Sequence, residues 1–241
     1  MPLSHDPVAA LESRTASDPA QPLLTCYDLD DGSRVEFSAR TFANWVDKTS
    51  NLIGSMGLDD GGDIGLPLLL TDPGHWVGMV WAMATWQAGG TVLALPRDDL
   101  DRVELAVVGP ARTHPVPGVE TVACSLHPLG AALAQPVAGV TDYAEVLGQP
   151  DVHWRNDPAQ VWFDDGEQRL GAEALAAVEP DAGRRLVRPT GEPWTDLVEG
   201  LLRALAGGGS TVLVRGGEAM EDGELEQQLA RIAAAEKTRQ D

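Results

Sequence analysis

The sequence predicts an α/β fold, two-lobed, with largely parallel β-sheets and flanking helices. Three observations carry that prediction. Between Val35 and Pro96 the chain reads helix, glycine break, strand, helix, glycine break, strand. A looser alternation of strands and helices runs from Gln160 to Glu236. Glycines stand where helical periodicity stops, at Gly57, at Gly89-Gly90 and at Gly207-Gly208-Gly209. Strands alternating with helices across short links form parallel sheets with crossover helices.

In order along the chain, residues 1–20 lack periodicity and are expected to be a flexible N-terminal arm with one helical turn. A first α/β subdomain is expected over 21–150 and a second, shorter one over 151–241. Leu23 to Leu29 and Ser33 to Phe37 flank Asp30-Asp31-Gly32, an acidic glycine turn that favours a hairpin. Ser38 is placed to cap a helix in which Phe42, Trp45, Val46, Thr49, Leu52, Ile53 and Met56 recur at helical spacing. Asp59 to Asp63 then turns the chain into a strand, Ile64 to Leu70. Asp72-Pro73 starts a helix that ends at Gly89-Gly90, and Thr91 to Leu95 is the next strand. Strands 64–70 and 91–95 are therefore expected to be parallel neighbours, with helix 73–88 crossing between them by a right-handed connection.

Further on, Leu105 to Val108 and Thr121 to Leu126 read as strands and Asp142 to Leu147 as a short helix. The second lobe offers strands at Gln160 to Phe163, Arg185 to Arg188 and Thr211 to Val214. Its helices are expected over 172–178, 193–206 and 223–236. In the last, Leu225, Leu229 and Ile232 face inward, with acids early and bases late as the helix dipole prefers.

Composition narrows the function classes. A hydrophobic share of 43% with 22% charged residues is ordinary for a soluble globular protein. The net charge of −20 repels phosphate, so neither nucleic acid nor an anionic membrane is expected as a partner. No apolar run is long enough to span a bilayer, and the N-terminus lacks the basic and apolar pattern of a signal peptide. Cys26 and Cys124 stand alone, far from Cys-x-x-Cys spacing, and read as buried reduced thiols. A cytoplasmic protein is expected. Lysine occurs only at Lys48 and Lys237 while arginine is plentiful, a bias that suits a GC-rich bacterial genome.

The segments Thr-Phe-Ala-Asn-Trp-Val (41–46), Gly-Asp-Ile-Gly-Leu (62–66) and Ala-Gly-Gly-Thr-Val-Leu-Ala-Leu-Pro (88–96) follow in an order that resembles the start of the AMP-forming adenylating enzymes: acyl-CoA synthetases, luciferases and peptide-synthetase adenylation domains. Leu201 to Gly208 leading into Thr211 to Val214 resembles the leucine-rich helix, glycine loop and strand that follow the phosphate loop in that family. The resemblance implies the fold of the N-terminal subdomains of acyl-CoA synthetases. It also implies a phosphate loop, rich in Ser, Thr and Gly and ending near a lysine, after the strand at Asp157 to Phe163.

Asp164, Asp165, Gly166 and Glu167, followed by Gln168 and Arg169, occupy that place. This stretch has one glycine, no hydroxyl and three acids. A carboxylate ~4 Å from a phosphate oxygen costs ~4 kcal/mol at a surface-like effective dielectric. The segment reads as a tight acidic turn. Gly207-Gly208-Gly209-Ser210 follows a helix instead of preceding one, so the dipole end it meets is negative and it reads as a helix stop. The family's glutamate motif, ribose aspartate and C-terminal lysine match no position of this sequence.

Other constellations are thin. His5, His75, His114, His127 and His153 are scattered without metal-ligand spacing, and His75 is expected in a capping or neutral surface role. Ser125 lacks a Gly-x-Ser-x-Gly setting, and Asp98-Asp99 with Asp101 reads as a solvated turn. No catalytic residue, no cofactor site and no metal site is expected. Trp76, Trp81 and Trp86 point ~140° apart on their helix, which suits either a core or an interface. Together with Trp194 and Leu197 they are the candidate interface residues, for a homodimer or a protein partner.

The reading is a degenerate, non-catalytic relative of the adenylating enzymes that acts as a binding or interaction protein. Two alternatives stand beside it: half of a split enzyme completed by another chain, and an unrelated small-molecule enzyme on the same scaffold.

Overall fold

The structure is a computed structural model that describes residues 6–239. Helix α1 (Pro7–Ser17) comes first. Asp6 caps it, its Oδ1 accepting from the backbone N–H groups of Val8 and Ala9, and Pro7 fits the first position because no partner is needed there. Val8 and Leu11 are buried. Residues 1–5 lie outside the described residues, and over residues 7–17 the expected arm is thus corrected to a packed helix. Its apolar stripe is too sparse to register as periodicity, while the Asp-Pro start was a legible signal.

Strands β1 (Pro22–Asp28) and β2 (Arg34–Ser38) form the expected antiparallel hairpin. In helix α2 (Ala39–Ser55), Ser38 Oγ accepts from the N–H of Thr41 at 3.1 Å, and Phe42, Val46, Thr49, Leu52 and Ile53 are buried. Gly57, at φ +87°, releases the chain from the helix. Strand β3 (Asp63–Gly65), helix α3 (Leu68–Thr71), helix α4 (Trp76–Gln87) and strand β4 (Thr91–Leu93) follow. β3 and β4 are parallel neighbours with Ile64 opposite Val92, and α4 connects them. The first strand is shorter than expected. Pro67, with helical dihedrals and no N–H to give a ladder, ends it, and the apolar run beyond becomes a helical turn.

Strands β5 (Leu105–Val108), β6 (Glu120–Ala123) and β7 (Thr141–Asp142) come next, then a 3₁₀ segment over Tyr143–Gly148. Strands β8 (Phe163–Asp164) and β9 (Arg169–Leu170) and helix α5 (Ala172–Ala176) precede strand β10 (Arg184–Val187). Helix α6 (Pro193–Leu197) continues through a π-helical turn, Val198–Leu202, into helix α7 (Arg203–Gly207). Strand β11 (Ser210–Arg215) and helix α8 (Asp222–Glu236) complete the described chain.

These strands make two sheets, in the orders β10-β11-β1-β2 and β7-β6-β5-β3-β4-β8-β9. The pairing corrects the boundary drawn near residue 150. β1 lies parallel to β11, and β8 lies parallel to β4, so each sheet draws strands from both sides of that boundary. Sequence order shows which segments are strands; it does not show which distant edges meet.

Helix α4 is buried along its whole length. Phe37 of the first sheet packs against Trp76 at a tilt, with ring centroids 4.9 Å apart, and a Cβ at Gly200 in the π-helical turn would stand 2.3 Å from Met79 Cε. Trp86 Nε1 donates to the carbonyl of Trp162 at 2.7 Å and ties the helix to the approach of β8. At ~25 cal/mol per Å² of apolar area removed from water, a core of this kind dominates stability.

Helix α8 packs Ile232 and Leu229 against Val212 and Val214 of β11 and is fastened to the first sheet through one carboxylate. Glu236 Oε1 accepts from Tyr27 Oη at 2.6 Å and from Arg34 Nε at 2.9 Å, and Oε2 meets Arg184. Burial opposes its charge, but the hydrogen bonds from Arg34, Tyr27 and Arg184 prevail and hold its pKa down to about 2.

Candidate functional site

The larger sheet contains a switch point. From β3 the chain crosses through α4 to β4 on one side, then returns to place β5 on the other side of β3. In open α/β sheets the loops leaving such strands diverge at their carboxyl ends and leave a crevice. Here Pro67, Leu70 and Thr71 follow β3; Pro96, Arg97 and Asp98 follow β4; and Gly109, Ala111 and Arg112 follow β5. The crevice they enclose has a volume of about 420 Å³.

Its charge differs from that of the whole molecule. Arg97 Nη2 donates to the carbonyls of His114 and Pro115, at 2.9 and 2.6 Å, so no carboxylate offsets it there. Arg97 Nε is buried without a hydrogen-bond partner among the described residues. The Arg112 guanidinium lies 4.0 Å from an exposed Asp98 carboxylate and is itself open to solvent. A Cβ at Gly109 would stand 2.5 Å from Asp72 Oδ2, so that carboxylate would have to shift to admit one. The cleft therefore presents two guanidinium groups and one acid, with an apolar wall from Leu70, Val108 and Ala111. That combination suits a small molecule with an anionic group and an apolar part.

At the carboxyl end of β8 the chemistry is opposite. Asp164 to Arg169 folds as the tight acidic turn that the sequence suggested, with β9 returning antiparallel to β8. The Gly166 N–H donates to Asp164 Oδ1 at 2.8 Å, and the N–H groups of Glu167 and Gln168 donate to Asp165 Oδ1 at 3.0 and 2.7 Å. Asp164 is buried and is met by Arg102 at 3.3 Å and Arg169 at 3.5 Å. The backbone donors that would cradle a phosphate are thus already bound by the turn's own carboxylates.

The glycines after α7 are spent in the same way. The N–H groups of Gly208 and Gly209 donate to Ala204 O at 2.9 and 3.1 Å, and Ser210 N–H donates to Gly183 O at 2.9 Å. Gly208, at φ +77°, is the helix stop expected there.

The other nominated residues are dispersed. His75 caps α4, Nδ1 accepting from the Val77 N–H at 3.2 Å while Nε2 faces the Leu126 carbonyl at 3.1 Å. It is buried, so the surface option fails; desolvation, with help from Arg215, lowers its pKa to about 3 and leaves it neutral. Burial pushes the Cys26 thiol up to about 12 and raises Cys124 as well, consistent with inert thiols. His5 lies outside the described residues.

The candidate interface residues need correction. Trp76, Trp81, Trp86 and Leu197 are each 2% exposed or less and belong to the core. Trp194 is half-buried, its ring 5.3 Å from Phe163. The all-round apolar helix lies between α2 and the sheets, and its burial leaves none of those side chains for a partner. Arg97 and Arg112 were missed. Their signal was positional: each lies within four residues of the end of a strand flanking β3, and that becomes visible only once the pairing of β5 with β3 is known.

Among the described residues no cluster of His, Cys, Asp and Glu could hold a metal ion, and no helix is long and apolar enough to cross a membrane.

No family model matches the chain. A TIGR03089 family protein of Mycobacterium tuberculosis is 34% identical over 220 residues, covering 86% of this chain and 88% of that protein. Among solved structures, an acyl-CoA synthetase of Brucella canis superposes with a TM-score of 0.67 at 14% identity, over 95% of this chain and 46% of that one. The anthranilate CoA ligase AuaEII, in complex with anthranoyl-AMP, gives 0.68 at 15% identity, over 93% and 48%. Acetoacetyl-CoA synthetase from Streptomyces lividans gives 0.64 at 16%, over 93% and 40%. This chain spans about half the length of such enzymes or less, and has the fold of their N-terminal half.

Proposed function

The chain belongs to the TIGR03089 protein family, and from that premise we propose that it is a non-catalytic relative of the adenylating enzymes that binds a small anionic molecule in the cleft beside Arg97 and Arg112. The observation that carries the non-catalytic half is the turn at Asp164 to Arg169, whose N–H groups are bound to Asp164 and Asp165. A triphosphate there would meet carboxylates, and the backbone N–H groups of Gly166, Glu167 and Gln168 would not be free to receive it. The binding half is supported by the cleft at the switch point, with two guanidinium groups in a chain of net charge −20.

The test is thermal unfolding of the purified protein with a panel of phosphate monoesters, diphosphates and small carboxylates, alongside a pyrophosphate-exchange assay with ATP. At ~100 times its dissociation constant a ligand stabilises by ~2.7 kcal/mol. A saturable shift from an anionic member of the panel, abolished in Arg112→Ala, is the expected result. ATP-dependent pyrophosphate exchange by the protein alone would overturn the non-catalytic reading. Exchange that arises only with a second chain present would establish the split enzyme in its place.

A further inference from the structure

Trp154 is 87% exposed, and Val152 and Leu147 nearby in the chain are 67% and 54% exposed. The other six tryptophans are buried or half-buried. An indole left in water contributes nothing to folding, and apolar side chains exposed together offer a surface that a partner can cover.

The segment that carries it is fastened on both sides. Before it, Lys48 Nζ donates to the Gln149 carbonyl, and Asn51 Nδ2 donates to the carbonyls of Pro150 and Val152 at 2.9 and 3.0 Å. Asn51 Oδ1 also meets His153 Nδ1 at 2.9 Å. After it, Arg155 pairs with Asp6 at 2.6 Å, and the side chain of Asn156 reaches the carbonyls of Asp59 and Ala88. The backbone is ordered before any partner arrives, which removes part of the entropic cost of association.

The residues on either side of Trp154 meet acids. Arg155 pairs with Asp6 and lies 3.9 Å from Glu12, His153 feels the charge of Asp59, and Asp151 and Glu12 both act on Asp47. Of the cations among them Arg155 is paired with Asp6 and Glu12, while Lys48, bonded to a carbonyl, keeps its charge, so the acids outnumber the bases. Burial lowers the pKa of His153 against the pull of Asp59.

We propose that Trp154, with Val152, is the anchor of a docking surface for a basic protein partner, one that offers an apolar slot rimmed by lysine or arginine. Charge complementarity selects that occupant. A second copy of this chain, meeting the same patch across a two-fold axis, would set acid against acid, and an anionic lipid surface is repelled in the same way. The proposal goes beyond the cleft reading and does not depend on it.

The test is selection of a displayed random-peptide library on the purified protein. The best synthetic peptides are then measured by fluorescence anisotropy at low and physiological salt. The expected peptides combine Lys or Arg with Leu, Phe or Trp. Their affinity should fall with salt and drop by about thirtyfold in Trp154→Ser, as for loss of a hot-spot residue. Arg112→Ala should leave that binding unchanged. Trp154→Ser should melt with the wild type, since the side chain makes little contact. Peptides without basic residues, binding that survives Trp154→Ser, or no Trp154-dependent binder at all would overturn the proposal. A wild-type dimer dispersed by Trp154→Ser would assign the patch to a second copy, and Trp154-dependent binding to phosphatidylcholine vesicles would assign it to lipid; either result overturns it.

Discussion

The carboxyl end of β8 and the carboxyl ends of β3, β4 and β5 lie on one side of one sheet, yet they have opposite characters. At β8 the chain doubles back within a few residues, and Asp164 and Asp165 take up the turn's own N–H groups. At β3, β4 and β5 the loops diverge, and Arg97 and Arg112 face a cleft of about 420 Å³. The fold supplies both positions as places where a ligand could sit. Residue chemistry then decides which is open. A fold that superposes on acyl-CoA synthetases therefore says where to look and leaves the activity to be argued from the side chains.

The comparison can be broken first by removing the support that both regions share. Trp86 meets Trp162 edge to face with ring centroids 5.9 Å apart and donates to its carbonyl, joining α4 to the approach of β8. Trp86→Ala should cost about 3–5 kcal/mol and lower the melting temperature by roughly 6–20 °C, as differential scanning calorimetry would record. A loss no larger than that of a surface substitution would show that α4 does not couple the two regions.

Acid gives the next effect and acts on neither region. Glu236 has a folded pKa of about 2 against 4.5 for the free side chain. The folded state therefore binds its proton less readily than the unfolded state. Its contribution is complete above pH ~4.5 and is lost as pH falls toward about 2. Glu236→Gln should flatten that part of the stability profile, measured by urea titration at several pH values. An unchanged acid limb would place the sensitivity elsewhere.

Opening the closed turn should cost less than opening the core. Asp164→Ala leaves the Gly166 N–H without its acceptor and Arg102 and Arg169 without their shared carboxylate. A loss of about 1–3 kcal/mol is expected, with no gain of ATP binding, because Asp165 still holds its two N–H groups. ATP affinity appearing in that variant would mean that Asp164 alone had closed the site.

The smallest effects belong to the open region. Arg112→Ala should change stability by no more than about 0.5 kcal/mol while abolishing the ligand response. Magnesium and ATP added to the wild type should shift melting by less than ~1 °C, whereas binding at ~100 times the dissociation constant would contribute ~2.7 kcal/mol.

Local physics was legible in the chain. Ser38 and Gly57 bracket α2 because a hydroxyl cap and a left-handed stop each act within a few residues. The crossover from β3 through α4 to β4 follows from short links. The acidic turn at 164–169 was legible as well, since carboxylates beside glycine favour it over a phosphate loop. Two kinds of feature were not. Leu68 to Leu70 reads equally as strand or helix until Pro67 is seen to adopt helical dihedrals. The cleft depends on β5 pairing with β3 and not with β4, a contact between segments whose own patterns do not encode it. For the tryptophans, equal hydrophobicity hid opposite fates: Trp81 is fully buried and Trp154 almost bare.

The pairing of β1 with β11 has a consequence for how the molecule is made. Asp28 and Arg215, joined at the end of that pair, are 187 residues apart. At about 5–20 residues per second, a ribosome needs roughly ten to forty seconds to travel between them. Throughout that interval β2 covers one edge of β1, while the other edge waits without its ladder. Strands β3 to β6, spanning only residues 63–123, can assemble first. The smaller sheet is the last part of the molecule to close, and its edge is where a nascent chain is most exposed to wrong pairing and to chaperones.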